Sequence, residues 1–98
     1  MLIAHVTFRT LPNDRAEALS ALLDQVAEVR AMPGCVKYIP AEDASDPCGL
    51  IVVQAWESAA RFDAYLASPP FARLGQSLRP LMTAPPVSQR FDATPCPG

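Results

Sequence analysis

The run Leu50-Ile51-Val52-Val53-Gln54-Ala55-Trp56 constrains the fold more than any other segment of this chain. It is rich in β-branched residues and short, with Gly49 before it and Glu57-Ser58 after it. Its length and composition favour a strand over a helix, and its density of apolar residues places that strand at the centre of a sheet. Leu2 to Arg9 has the same character. Its apolar set Leu2, Ala4, Val6 and Phe8 alternates with the mixed set Ile3, His5, Thr7 and Arg9, which predicts one core face and one partly polar face. Cys35 to Ile39 reads as a further strand ending at Pro40, and Val87 to Asp92 as a last one fenced by Pro85-Pro86. Ala41 to Gly49, with its acids, Ser, Pro and Gly, is expected to be a surface loop.

Helical spacing fills the gaps. Leu19, Leu22, Leu23, Val26 and Val29 recur on one face, which predicts a helix over about residues 14 to 31. Asp14 and Glu17 have the spacing of a capping box, and Pro33-Gly34 provides the stop. Ser58 is a candidate N-cap for a short helix carrying Phe62, Tyr65 and Leu66 on one face. Ser68 opens another, with Pro69 at its first position and Phe71, Leu74 and Leu78 on its buried side. Pro80 is expected to end it.

The element order is therefore β-α-β-β-α(α)-β. It predicts an α+β, ferredoxin-like split βαβ fold: a four-stranded antiparallel sheet with its helices on one face. With 98 residues there is one domain, expected over 1–92, followed by a loose tail over 93–98 that contains two prolines. Half of the residues are hydrophobic (50%), more than one small core needs, and apolar residues stand on both faces of the strands. A second copy covering the bare sheet face would satisfy them, so a homodimer is expected.

Composition excludes several classes of function. Eight basic and ten acidic side chains give a net charge of -2 with no long like-charge run, so neither nucleic acid nor an anionic membrane is an expected partner. Cys35, Cys48 and Cys96 are odd in number and widely spaced, and with one histidine they make no expected metal site and no disulfide framework. Free thiols suit a reducing compartment, and the N-terminus lacks the pattern of a signal peptide, so a soluble, cytoplasmic protein is expected.

Few side chains carry chemistry. His5 is the one group whose ordinary pKa suits a general base near neutrality, although a strand histidine is more often structural. Trp56 is either a core anchor or a surface on which a planar ligand stacks, and the Tyr65 hydroxyl either donates to a substrate oxygen or reaches the rim. Tyr38 and Phe62 are further candidates for ligand contact. Arg9, Arg73 and Arg90 are candidates for holding an anionic oxygen. Together these residues suit a planar aromatic or lipophilic ligand in a small apolar cavity.

The stretch from Trp56-Glu57-Ser58 through Phe62, Tyr65 and Ser68-Pro69-Pro70-Phe71 resembles the antibiotic biosynthesis monooxygenase family. The first strand His5-Val6-Thr7-Phe8-Arg9 and the turn Met32-Pro33-Gly34-Cys35 support the resemblance, which extends over roughly residues 2 to 91. It implies a dimeric α/β barrel with sheets back to back. Some members oxidise phenolic or quinol substrates with O₂ without any cofactor, and others degrade heme. Many members have a His on the short helix where this chain has Tyr65. The Asn, Trp and His of the heme-degrading branch are missing from the corresponding elements. The resemblance thus implies a cofactor-independent monooxygenase in which His5 acts as base and Tyr65 and Trp56 donate to the phenolate. Arg9, Tyr38 and Phe62 would then bind substrate. The alternative is a non-catalytic dimeric module that binds a small hydrophobic metabolite.

Overall fold

A computed structural model describes residues 1–98. The strands are β1 (Leu2–Arg9), β2 (Cys35–Glu42), β3 (Gly49–Trp56) and β4 (Val87–Asp92), and the helices are α1 (Arg15–Leu23), α2 (Val26–Arg30), α3 (Ala59–Leu66) and α4 (Pro69–Leu78). All pairings are antiparallel, in the spatial order β2-β3-β1-β4. This is the expected ferredoxin-like arrangement, with the most apolar run, β3, inside the sheet.

Alternation along the strands assigns every side chain to a face. On β1, Ala4 and Phe8 are buried under the helices; on β3, Leu50, Val52, Gln54 and Trp56 are. The opposite face carries Ile3, His5, Thr7 and Arg9 of β1, paired with Ala55, Val53, Ile51 and Gly49 of β3. No helix covers it, and Ile39, Val87 and Phe91, which share it, are exposed. An irregularity between Cys35 and Lys37 of β2 corrects the parity there. The extra residue, Val36, lets Cys35 pair with Trp56 while Tyr38 pairs with Gln54, so both stay on the helix-covered side although three positions apart.

Three local expectations are corrected. The long helix over 14 to 31 is two helices, interrupted at Asp24-Gln25. The interruption turns Gln25 so that its Nε2 donates to the Pro70 carbonyl at the start of α4, 2.9 Å away. It also releases Leu23, expected on the buried face, to 53% exposure. Asp14 lies in a 3-10 turn (Pro12–Asp14) and makes no capping hydrogen bond, so the capping box does not form. Finally, β2 runs through Pro40 to Glu42 instead of ending at Pro40. As an edge strand it has a side with no partner, where a missing N–H is tolerated.

Other boundaries follow their signals. The Ser58 hydroxyl accepts from the Arg61 N–H at 3.2 Å and caps α3. Ser68 precedes α4 with Pro69 at the first position, but its hydroxyl donates to the Tyr65 carbonyl at 2.6 Å and so ties α4 to the end of α3. Gly34 has φ +84°, and a Cβ there would collide with the Arg61 side chain. Only glycine fits that conformation and that approach.

Candidate functional site

A cavity of about 360 Å³ lies between the sheet and helices α3 and α4. Its size falls within the range of small-molecule sites. Val6 and Phe8 of β1 and Val52 of β3 form its apolar floor, and Phe71, Leu74 and Leu78 of α4 its roof. The N-terminal proline and the apolar spacing of α4 set that roof, while the strand alternation sets the floor. Toward β4, whose six residues are all exposed, Ser88 and Arg90 line the cavity together with Arg79. That edge forms the mouth. The lining contains two guanidinium groups and no carboxylate, in a chain whose net charge is -2.

Three aromatic rings, Tyr38, Tyr65 and Phe71, form one wall, and Trp56 backs it from within the core. Trp56 stacks on Tyr65 with centroids 5.2 Å apart and an interplanar angle of 20°. Phe71 meets Tyr65 edge-on at 5.2 Å, and Tyr38 does so at 6.1 Å. The Tyr38 and Tyr65 hydroxyl oxygens lie 3.4 Å apart, and both tyrosines are 1% exposed. Burial raises both phenols above their ordinary value of 10.0, Tyr65 strongly. For Tyr65 the nearby Tyr38 oxygen adds to the effect of burial. Both side chains are therefore neutral at physiological pH. They can donate a hydrogen bond, and neither can act as the base.

Gln54 supplies a further polar group. It lines the cavity from the middle of β3 and is 4% exposed. Its Oε1 accepts from the Trp56 indole N–H at 3.1 Å. Sequence analysis overlooked this residue, yet a signal was present. Among Leu50, Val52, Gln54 and Trp56, the core-facing parity of the most apolar strand, a lone amide needs a reason to be there.

The expected site residues divide in two. Tyr65, Tyr38 and Phe62 line the cavity. Trp56 is 0% exposed and does not line it, reaching it only through Tyr65 and Gln54. His5 lies on the opposite face of the sheet, opposite Val53 and Gln89, with its ring 5.8 Å from that of Phe91. The expected convergence of His5, Trp56 and Tyr65 on one cavity does not occur, because odd-numbered β1 residues point away from the helices. Arg9 shares that open face, where its Nε donates to Asp46 at 2.8 Å. Arg73 is also engaged outside, with Glu28 at 2.8 Å. Arg90 alone of the three expected arginines reaches the cavity; its guanidinium lies 4.8 Å over the Phe62 ring and 3.8 Å from Asp63. Arg79 was not anticipated. It comes to the mouth by folding back along α4 beside Gly75.

No group of three or more His, Cys, Asp or Glu side chains could hold a metal ion. Cys35 and Cys48 are partly buried, Cys96 is exposed, and none is bonded to another. No helix is long and apolar enough to cross a membrane.

The fold has counterparts among known proteins. The model of the antibiotic biosynthesis monooxygenase family matches residues 1–76. The chain belongs to that family. The matched segment carries Tyr38, Gln54, Trp56 and Tyr65, whereas Arg79 and Arg90 at the mouth lie beyond it. A Deinococcus radiodurans protein assigned to antibiotic biosynthesis monooxygenases superposes with a TM-score of 0.91 at 22% identity, covering 100% of this chain and 97% of its own. A Caulobacter crescentus protein with the same assignment gives 0.90 at 23% identity, covering 96% and 90%. A Mycobacterium tuberculosis protein gives 0.88 at 20%, covering 99% and 98%. At these identities the likeness establishes the shared fold. No curated protein matches the sequence.

Proposed function

We propose that this family member is a cofactor-independent monooxygenase that oxidises a phenolic or quinol-type aromatic substrate with O₂ in the cavity beneath α4. The observation that carries this reading is the pair of buried hydroxyls, Tyr38 and Tyr65, in a mainly apolar cavity with two guanidinium groups at its mouth. An aromatic ring fits among Phe71, Leu74 and Val52, and its oxygen finds donors at the tyrosine wall. No side chain lining the cavity has the pKa of a general base. The site instead favours the substrate's own ionisation: hydroxyl donors stabilise a phenolate, and Arg79 and Arg90 lower the cost of negative charge. The proton leaves through the mouth to water. The electron-rich anion then passes one electron to O₂, and recombination gives a hydroperoxide. Loss of water turns the substrate CH₂ into C=O. The net change, CH₂ + O₂ → C=O + H₂O, needs no further reductant.

A second copy completes the assembly in this reading. The open sheet face carries Ile3, Ile39, Ile51, Val53, Val87 and Phe91, and a homodimer joined there would bury roughly 2,000 Å² or more. An oxygen electrode tests the catalytic reading. Purified protein should consume O₂ with anthrones well above the uncatalysed rate, giving the ketone and water, and with hydroquinones it should give the hydroxyquinone and water. Saturable binding of the same compounds without O₂ uptake would overturn it in favour of the non-catalytic binding module.

A further inference from the structure

An indole N–H can donate a hydrogen bond but cannot accept one. The Trp56 Nε1 lies 3.1 Å from the Gln54 side chain in a fully buried setting, so it decides which end of the amide faces it. The oxygen must point to the indole, and the NH₂ group must therefore point the other way. Gln54 is 96% enclosed and lines the cavity, and its Nε2 makes no hydrogen bond within the protein. The nitrogen is not among the polar atoms sealed from solvent without a partner, so it opens onto the cavity. A buried amide nitrogen with two free N–H groups is costly in an apolar floor unless a ligand satisfies it. The neighbouring strand positions reinforce its direction: Tyr38 stands directly across from Gln54 on β2, so hydroxyl and amide serve the same part of the cavity.

We propose that Gln54 binds the oxygen of the ligand, that Trp56 positions it by holding the amide in one orientation, and that the ligand presents an accepting oxygen, a ring carbonyl or a phenolate, to Nε2. The proposal rests on the monooxygenase reading only in using the same cavity, and it narrows the substrate class. A neutral ring without oxygen is bound less well than its carbonyl counterpart. A substituent that can only donate, such as an ammonium, is rejected. The ketone formed in the proposed reaction offers the same kind of acceptor as the phenolate that enters, so product release is slow and product inhibition is strong. Trp56 is thus a positioning residue; it touches the ligand only through Gln54 and Tyr65.

Calorimetric titration of the full chain with two probes of equal charge and shape, anthraquinone-2-sulfonate and anthracene-2-sulfonate, tests the assignment. The wild-type protein should favour the quinone by about tenfold, the worth of one well-made hydrogen bond. In Gln54→Met, of similar length and with a sulfur that still faces the indole, the quinone should lose that factor while the anthracene is unaffected. A purely structural role for Gln54 would weaken both alike. Trp56→Phe should shrink the preference by freeing the amide to turn. The infrared carbonyl band of the bound quinone should move to lower frequency in the wild type and return in Gln54→Met. Equal affinity for both probes, binding of neither, or an undiminished preference in Gln54→Met would overturn the proposal. If the variants do not fold, the wild-type pair and the carbonyl band decide it. Quinone preference without O₂ uptake from anthrones would remove the monooxygenase reading and leave Gln54 as the oxygen-binding residue. O₂ uptake with no quinone preference would do the reverse.

Discussion

The two faces of the sheet are built from the same strands and obey opposite rules. Under the helices, polar groups are enclosed and fixed: Gln54 is held by Trp56, and Tyr38 meets Tyr65. On the open face, apolar groups lie uncovered: Ile39, Val87 and Phe91 are each more than 40% exposed. A folded chain tolerates buried polar groups only when they are paired or serve a ligand, and large uncovered apolar areas only when they meet a partner. The covered face therefore reads as the place of chemistry and the open face as the place of assembly. His5, the strongest candidate for a base from sequence, sits on the open face.

The largest expected effect comes from removing the centrepiece of the covered face. Trp56→Ala deletes the fully buried ring that supports Tyr65 and Gln54 and should cost about 3–5 kcal/mol in denaturant unfolding. A loss below about 1 kcal/mol would mean that the ring wall is not the core of the fold. On the open face, Val53→Asp places a charge beside His5 and Ile39 at the middle of the uncovered patch. Sedimentation should show a dimer for the wild type and a folded monomer for the variant, with the dimer constant weakened at least about 100-fold. A wild-type monomer near 10.5 kDa at micromolar concentration would break the contrast between the faces.

Tyr65→Phe probes the covered face more gently. Loss of one hydroxyl should lower turnover about tenfold while the dimer persists. The same residue gives a pH signature. Burial raises the Tyr38 and Tyr65 phenols in the folded protein, so the folded state keeps protons that the unfolded chain releases above its ordinary value of 10.0. Stability is fully present below that pH and falls as pH rises from it toward the raised folded-state value, with a limiting slope of about 1.4 kcal/mol per unit for a single tyrosine. In Tyr65→Phe the alkaline fall should be shallower by one tyrosine's share, which pH-jump unfolding measures; an unchanged slope would place the phenols in contact with water. The smallest expected effect belongs to His5→Gln. If chemistry is confined to the covered face, O₂ uptake at neutral pH and its pH profile should match the wild type. A large drop would put a catalytic base on the open face and erase the distinction between the two.

How much of this was legible beforehand depended on the kind of signal. Strand β4 begins and ends where Val87 and Asp92 predict, and α3 starts at its Ser58 cap, because these signals act over a few neighbouring residues. The same locality misled at Asp14 and Glu17, whose spacing suits a capping box that the preceding 3-10 turn prevents. Periodicity likewise ran straight through Gln25, whose bond to the Pro70 carbonyl lies 45 residues away in sequence. Tyr65 and Phe62 could be placed on the cavity from helix spacing alone. Gln54 could have been found from its parity in β3, but its orientation required knowing that the Trp56 indole points at it.

Local chemistry and alternation thus determined the element order, the sheet and the faces of β1 and β3, since turn, cap and strand preferences are decided within a few bonds. The pairing of Tyr38 with Tyr65, the bulge at Val36, the guanidinium groups at the mouth and the direction of the Gln54 amide depended on tertiary structure. Each is a contact between segments distant in the chain, and only the closed fold brings them within hydrogen-bond or van der Waals reach.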